Sequence, residues 1–215
     1  MRFFQYIITL ISYASKPEKR KLIRISRSLK DKVGLEIGGP SAFFDLKSFF
    51  PVYVFAKRID GVNFSAETVW EGKIEEGMSY HYTDNKKGYQ YISEASELEN
   101  IGDNKYDFLL SCHSLEHIAN PIKTLKNWNK VLQNAGKFIL VLPDKDFTFD
   151  HNRPYTTFEH LLLDFNDQRD EHDSTHFEEV LSLHDISKDA MINSREELKT
   201  RIQDNFLNRC DHHHV

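Results

Sequence analysis

The stretch that decides the fold is residues 106–121, which read Tyr-Asp-Phe-Leu-Leu-Ser-Cys-His-Ser-Leu-Glu-His-Ile-Ala-Asn-Pro. Its apolar run from Phe108 to Cys112 predicts a buried strand, because it is short and polar residues follow at once. Downstream, apolar side chains recur at helical spacing, the chain turns at Asn134-Ala135-Gly136, and a second apolar run extends from Lys137 to Leu142. Strand, helix and strand in this order predict a right-handed parallel crossover, and hence a doubly wound, mainly parallel α/β sheet.

Two further strands are predicted on the N-terminal side of this unit. Val33 to Ile37 ends at a Gly38-Gly39-Pro40 turn, and Ile59 to Phe64 follows. The chain then divides into an N-terminal helix and basic segment (1–31), an α/β core (32–143) and a helical region (144–215). Ligands of open α/β sheets bind beyond the carboxyl ends of the strands, so we expect the helical region to cover those ends.

Length and composition favour one globular domain. The 215 residues are 40% hydrophobic and include 16 Phe and 9 Tyr, which suffices for a core without disulfide bonds. Two cysteines, Cys112 and Cys210, and no signal-peptide pattern favour a reducing, cytoplasmic setting. The net charge of −5 argues against a nucleic-acid partner, because affinity for phosphate backbones comes mainly from clustered Lys and Arg.

The N-terminal segment is apolar and then basic. Phe3, Phe4, Ile7, Ile8 and Ile11 recur at helical spacing, but the run is shorter than the about 20 residues that span a bilayer. Eight basic residues follow between positions 16 and 32. We therefore expect no integral membrane span, and a choice between plain packing and peripheral contact with an anionic membrane surface.

The turn after the first strand carries a candidate ligand loop. Glycine lets a backbone pass close to a ligand, and Glu36, just before the turn, can accept hydrogen bonds. The G-x-G-x-x-G dinucleotide fingerprint is not met, because Pro40 and Phe43 stand where glycines would, so NAD is not favoured.

These segments together resemble the class I S-adenosylmethionine-dependent methyltransferases over roughly residues 32–143. Glu36, Gly38 and Pro40 occupy successive positions of the family's E-x-G-x-G-x-G motif, and 106–121 resembles its fourth strand with the trailing L-E-H. The resemblance implies a Rossmann-like fold and S-adenosylmethionine as cofactor. It implies that the cofactor is held by Glu36, Gly38, Gly39, Pro40, Ser41, Asn63, Glu94 and Cys112.

The chain departs from the family in that loop and at the second strand. Pro40 and Ala42 replace glycines, and Asn63 stands where an acid usually grips the ribose hydroxyls. A neutral amide binds a hydroxyl less strongly than a carboxylate does. Weak cofactor binding, or an inactive relative, therefore stays open.

His113 is the first candidate for a general base. The resemblance places it beside the transferred methyl group, and an imidazole titrates near neutral pH. The alternative is a loop histidine that only forms hydrogen bonds. For Glu116 and His117 we expect packing and helix capping.

The region after Pro143 is rich in histidine and acidic residues, with eight of the eleven histidines at or beyond position 151. Amphipathic patterns predict helices over Phe158 to Phe165 and Arg195 to Phe206. Thr156 or Thr157 can cap the first of these. Candidate catalytic residues here are His151 and His160, and candidate substrate contacts are Arg153, Thr157, His172 and His176.

Histidines spaced four residues apart, His172 and His176, and the pair His160 and Asp164 could bind a divalent metal if a third ligand converged. The order differs from H-E-x-x-H and no cysteine pair accompanies it, so we assign no metal site. Arg153 is expected to hold a carboxylate or phosphate bidentately.

The last residues, Cys210-Asp211-His212-His213-His214-Val215, lack the pattern of a closing strand. We therefore expect a shortened or truncated methyltransferase fold. His212 to His214 are expected to form a frayed tail, with a role at the site only if a longer parent chain folds them back.

Three functions follow as hypotheses. The first is methyl transfer to a small polar acceptor, such as a saccharide or nucleotide-sugar hydroxyl. The second is a non-catalytic binding or assembly module that keeps the fold, and the third is a metal-dependent hydrolase that uses the C-terminal histidines. The oligomeric state is left open.

Overall fold

The computed structural model describes residues 2–48, 50–204, 206 and 209–215, with the side chains of residues 2–6 outside that description. The helices are α1 (Arg2–Ser15), α2 (Arg20–Ser28), α3 (Val52–Phe55), α4 (Pro121–Val131), α5 (Phe158–Asn166), α6 (Phe177–Leu183) and α7 (Arg195–Gln203). The strands are β1 (Val33–Ile37), β2 (Arg58–Asn63), β3 (Glu67–Thr68), β4 (Gly72–Lys73), β5 (Gly77–Thr83), β6 (Lys86–Ile92), β7 (Tyr106–Cys112) and β8 (Leu132–Val141).

Six strands form one sheet in the order β5-β6-β2-β1-β7-β8, while β3 and β4 form a separate short hairpin. Strands β6, β2, β1, β7 and β8 pair in parallel, and β5 runs antiparallel to β6. This arrangement confirms the predicted doubly wound, mainly parallel sheet. All four predicted strands are present, and α4 forms the crossover between β7 and β8.

The hairpin of β5 and β6 was not predicted. The sequence of β5 alternates aromatic and polar residues. Tyr80 and Tyr82 are buried, and His81 between them is exposed. An Asp84-Asn85 turn joins the two strands. Alternation is the pattern of a half-buried edge strand, whereas the predicted strands rest on short continuous apolar runs.

Two apolar cores flank the sheet, one on each face. One contains Trp128 of α4, which is fully buried and donates a 2.8 Å hydrogen bond from Nε1 to the Ala95 carbonyl. The other is aromatic and includes Phe44, Tyr53 and Tyr80. The central strands are therefore covered on both sides, as in a parallel sheet, whereas the edge strand β8 is largely exposed.

The predicted N-terminal helix is present as α1. Its side chains at Ile7, Leu10 and Ile11 are 36%, 55% and 61% exposed, and the predicted positions Phe3 and Phe4 lie outside the described side chains. Within the described residues, none of the helices is both long and apolar enough to span a membrane.

Beyond β8 the described residues form helices and turns, with a small core of Val180, Ile192, Leu198 and Ile202. Helix α5 confirms the predicted Phe158 to Phe165 helix. The last long helix begins at Arg195 as predicted but ends at Gln203, before the predicted Phe206.

The C-terminal residues are folded in, contrary to the expectation of a frayed tail. His212, His213 and His214 are each only 7% exposed. The amides of His213 and His214 both donate to the Glu116 carbonyl, at 2.8 and 3.0 Å. Val215 pairs with Thr156 through two hydrogen bonds of 2.6 and 3.0 Å. Hydrogen bonds to backbone and side-chain groups, rather than apolar burial, hold this segment, which is why its polar composition misled the prediction.

Candidate functional site

A cavity of about 550 Å³ opens at the carboxyl ends of β1, β2 and β7. We call it the main cavity. Its volume lies in the range of small-molecule sites, about 300–1,000 Å³. Predicted cofactor residues that line it are Gly38, Pro40, Ser41, Asn63, Glu94 and Cys112, together with the predicted base His113.

Two glycines shape the loop after β1. Gly38 has φ of +71°, and a Cβ there would lie 2.6 Å from Ser114 Oγ. A Cβ on Gly39 would lie 2.3 Å from the Tyr80 hydroxyl oxygen and 2.4 Å from Cδ of Glu36. A side chain at either position would clash. Gly38 lines the main cavity with its backbone, whereas Gly39, a predicted cofactor residue, is outside the lining.

Glu36 lies behind this loop and not in the main cavity. It is fully buried, and its carboxylate accepts hydrogen bonds from the hydroxyls of Tyr80 (2.7 Å) and Tyr53 (2.8 Å) and from the Ser41 amide (3.0 Å). Burial raises the pKa of Glu36 to about 7 even though these donors act in the opposite direction. Its predicted direct contact with the cofactor is thus corrected: Glu36 positions the loop.

Asn63 is 2% exposed and tied into the same loop. Its Nδ2 donates to the Gly39 carbonyl at 3.1 Å, and its Oδ1 accepts from Trp70 Nε1 at 3.2 Å. A carboxylate here could not donate to that carbonyl. The amide that departs from the family pattern therefore has a structural reason in this chain.

Glu94 forms an ion pair at one edge of the main cavity. Its Oε2 lies 2.8 Å from Nη2 of Arg209, and its Oε1 accepts from the Ala95 amide at 3.0 Å. Arg209 also pairs with Glu171 at 2.6 Å and stacks over Phe64 at 4.8 Å. The C-terminal segment thus supplies a cation that closes this edge.

His113 projects into the main cavity from the end of β7. Its φ is +52°, an unusual conformation for a residue with a side chain, and its amide donates to the Val141 carbonyl at 2.9 Å. The side chain is 56% exposed, and Nδ1 lies 3.6 Å from Glu116 Oε1. Burial and the neighbouring His212 lower the pKa of His113, so the imidazole is neutral near pH 7.

Cys112 and Cys210 both line the main cavity as thiols. Burial raises the pKa of each thiol. Both are therefore protonated near neutral pH and unsuited to act as nucleophiles.

The predicted catalytic and substrate residues of the C-terminal region lie outside the lining of the main cavity. Arg153 is 1% exposed, and its guanidinium bonds to Glu179 (2.7 Å) and to the carbonyls of His212 (2.8 Å) and His213 (3.1 Å). The prediction that it binds a substrate anion is corrected, because its donors hold the C-terminal segment. Thr157 caps α5 by accepting from the His160 amide, as the sequence indicated for this threonine or its neighbour.

The predicted histidines occupy three different settings. His151 Nε2 lies 3.6 Å from Asp185 Oδ2. His172 stacks on Phe206 with ring centroids 3.8 Å apart. His160 and His176 meet through their Nε2 atoms at 3.1 Å. The structure therefore brings two of the four histidines together, and neither of these lines the main cavity.

Other residues of the main cavity were missed. They include Phe64, Trp70, Ser114, His117, Arg209 and Cys210. Ser114 and His117 stand inside the motif around β7 and could have been found there. Trp70 and Arg209 reach the cavity from a short hairpin and from the chain's last residues, which no sequence pattern connects.

Comparison with known proteins gives the family. A family model described as a methyltransferase domain matches residues 11–190, and the chain belongs to this family. Its mainly parallel sheet, with the strand order β5-β6-β2-β1-β7-β8, agrees with the Rossmann-like fold of the class I methyltransferases. A search of curated proteins found no match.

Several solved structures are similar to this chain at low sequence identity. YcgJ from Bacillus subtilis is 17% identical over 56% of this chain and 49% of that chain, with a TM-score of 0.39. A methyltransferase from Aquifex aeolicus is 14% identical over 60% and 67%, with a TM-score of 0.32. CalH, in complex with S-adenosylhomocysteine, is 17% identical over 59% and 37%, with a TM-score of 0.37. The chain thus spans about half the length of the first of these.

Proposed function

We propose that this chain transfers the methyl group of S-adenosylmethionine to a hydroxyl of a small polar acceptor, a saccharide or a nucleotide sugar. The observation that carries the proposal is one cavity shared by the glycine loop after β1 and by the His113 imidazole. A loop without side chains admits a ligand close to the backbone, and a neutral imidazole beside it can accept a proton.

The residues of the main cavity fit the cofactor. Aromatic rings of Phe64 and Trp70, with centroids 5.9 Å apart, provide an apolar wall suited to a purine. Asn63 reaches the cavity with an amide that can bond a ribose hydroxyl. When bound, S-adenosylmethionine supplies an activated methyl group on a sulfonium.

His113 has the central chemical role in this proposal. In such a transfer the His113 imidazole would take up the proton that the acceptor hydroxyl must lose. Burial lowers the pKa of His113, which keeps it in the neutral form that can accept this proton. A positioned base contributes about 10²–10⁴-fold to such a step.

The test has a binding stage and a turnover stage. We expect calorimetry to show one S-adenosylmethionine per chain and the melting temperature to rise on binding, because a ligand of the native state stabilises it. No heat and no stabilisation at millimolar cofactor would contradict the proposal. Cofactor binding without transfer to any of a panel of saccharides and nucleotide sugars would favour the non-catalytic module.

The variant His113→Asn distinguishes a loss of the proposed base from a loss of folding or of cofactor binding. It should bind cofactor as the unmodified chain does and lose at least about 100-fold in turnover. The matched control is His81→Asn, which removes an exposed imidazole on β5 outside the lining of the main cavity. Equal turnover of both variants would remove His113 from the mechanism.

A further inference from the structure

Three side chains outside the proposed methyl-transfer step converge beside the main cavity. Glu116, His117 and His212 each offer one ligand atom, and these atoms lie within 4.8 Å of one another. We call them the Glu-His-His cluster. Glu116 and His117 belong to a short 3-10 turn after β7, and His212 comes from the C-terminal segment.

Glu116 is a buried acid that has no hydrogen-bond partner for its carboxylate in the described part of the chain. It is 7% exposed, and among the described residues neither carboxylate oxygen has a hydrogen-bond partner. The nearest imidazole nitrogen, His113 Nδ1, lies 3.6 Å away, which is beyond hydrogen-bond distance. A buried carboxylate left in this state is costly, and a bound cation would satisfy both oxygens.

The two imidazoles are oriented by hydrogen bonds on their far sides. His117 Nδ1 lies 3.1 Å from the Asp211 carbonyl oxygen, and His212 Nδ1 lies 2.9 Å from Oδ2 of the fully buried Asp150. With the protons on Nδ1, both Nε2 atoms keep their lone pairs. A carbonyl or carboxylate behind each ring is the usual outer shell of a metal-binding histidine.

We propose that Glu116, His117 and His212 bind a divalent transition-metal ion. Two imidazoles and a carboxylate suit zinc, manganese or iron, and they leave coordination positions open for another ligand. At metal–ligand distances of about 2.0–2.2 Å, tetrahedral ligand atoms lie about 3.3–3.6 Å apart, so binding would draw these three groups together from separations of up to 4.8 Å.

The Glu-His-His cluster lies between two cavities, so a ligand could reach a bound ion from either one. His117 lines the main cavity, while Glu116 and His212 line a second cavity of about 260 Å³. The walls of that cavity are otherwise mostly apolar, with Leu115, Pro121 and Leu142 among them. An oxygen ligand that enters from either side would meet the open coordination positions.

A second group of histidines, His160, His176 and His214, also lies within 4.8 Å. Two of its contacts form without an ion, and the first is an N–H···N hydrogen bond that His160 and His176 can share at 3.1 Å. His214 Nε2 can donate to the Ala119 carbonyl, likewise at 3.1 Å. This group therefore serves as the internal control for the Glu-His-His cluster.

The experiment is a zinc titration of the full chain, purified without a tag and stripped with a chelator. Competition with a chromophoric chelator should show one tightly bound Zn²⁺. Glu116→Gln, which is nearly isosteric and removes the buried charge, should weaken zinc binding more than the about 10–100-fold seen when an outer-shell partner is lost. His117→Asn should do the same, and His160→Ala should keep the affinity of the unmodified chain.

Two outcomes would overturn the inference. One is the lack of stoichiometric zinc binding by the unmodified chain. The other is loss of zinc with His160→Ala but not with Glu116→Gln or His117→Asn, which would place the ion on the second group of histidines. Because the titration contains no S-adenosylmethionine, its result is independent of the proposed methyl transfer.

Discussion

The Tyr80 hydroxyl donates a 2.7 Å hydrogen bond to Glu36 Oε2 behind the loop that forms the cavity wall. Tyr80 comes from the hairpin strand β5, and Glu36 from the central strand β1. The contact passes over Gly61 of β2, where an added Cβ would lie 2.2 Å from the tyrosine ring. The edge hairpin therefore supports the cofactor loop across the sheet.

Buried Glu36 should make stability depend on pH. Burial raises its pKa from 4.5 to about 7, so between these values the folded chain keeps a proton that the unfolded chain releases. From this group alone, stability falls as pH rises through that window, by up to roughly 3 kcal/mol. The Gln side chain of Glu36→Gln does not titrate, so this loss of stability is absent from the variant. The melting temperature of the variant minus that of the unmodified chain should therefore be larger at pH 8 than at pH 5.

Thermal melts of both proteins across this range check the prediction. Other titrating groups, including Glu171 with its pKa raised to about 7, are present in both chains and cancel in the difference. A difference that stays constant from pH 5 to pH 8 would contradict the assignment of this titration to Glu36.

Gly39→Ala should damage the same support. The new methyl group would lie 2.3 Å from the Tyr80 oxygen and 2.4 Å from Glu36 Cδ, so either the pair separates or the loop moves. Overpacking of this kind costs about 1–3 kcal/mol, and we expect weaker cofactor binding as well. The control is Gly102→Ala, whose added Cβ meets nothing within 4 Å. Urea unfolding and calorimetry on both variants should show the effects in Gly39→Ala alone.

Cofactor binding should be visible in the fluorescence of one tryptophan. The chain has two: Trp70 is 43% exposed and lines the main cavity, while Trp128 is fully buried in the core under α4. We expect S-adenosylmethionine to change the emission of the unmodified chain and to leave that of Trp70→Phe unchanged. An equal change in both proteins would mean that the ligand binds elsewhere or acts through Trp128.

The strands buried on both faces could be predicted from sequence, and the loop after β1 followed from the motif at Glu36 and Gly38. What could not be predicted depends on side-chain direction and on distant pairing. The Glu36 side chain points away from the main cavity because its carboxylate accepts hydrogen bonds from the hydroxyls of Tyr53 and Tyr80. Neither tyrosine is near Glu36 in sequence. The C-terminal histidines are held by backbone groups of Glu116, which leave no compositional signal.

Arg153 should prove to be the residue that keeps the C-terminal segment in place. Its buried guanidinium binds the carbonyls of His212 and His213 and the Glu179 carboxylate. Arg153→Gln leaves these acceptors without their donor, and loss of one partner of a buried ion pair typically costs about 3–5 kcal/mol.

Arg153→Gln should loosen the C-terminal segment under conditions in which the rest of the chain is still folded. In hydrogen-exchange mass spectrometry, the peptide that contains His213 and His214 should lose protection in Arg153→Gln, because the hydrogen bonds of both amides to Glu116 depend on that placement. Arg195→Gln is the control, since this exposed arginine of the same region contacts the Leu181 carbonyl. If exchange of the C-terminal peptide is the same in both variants, then the pairing with Thr156 and Glu116 suffices to hold the segment, and Arg153 has a different role.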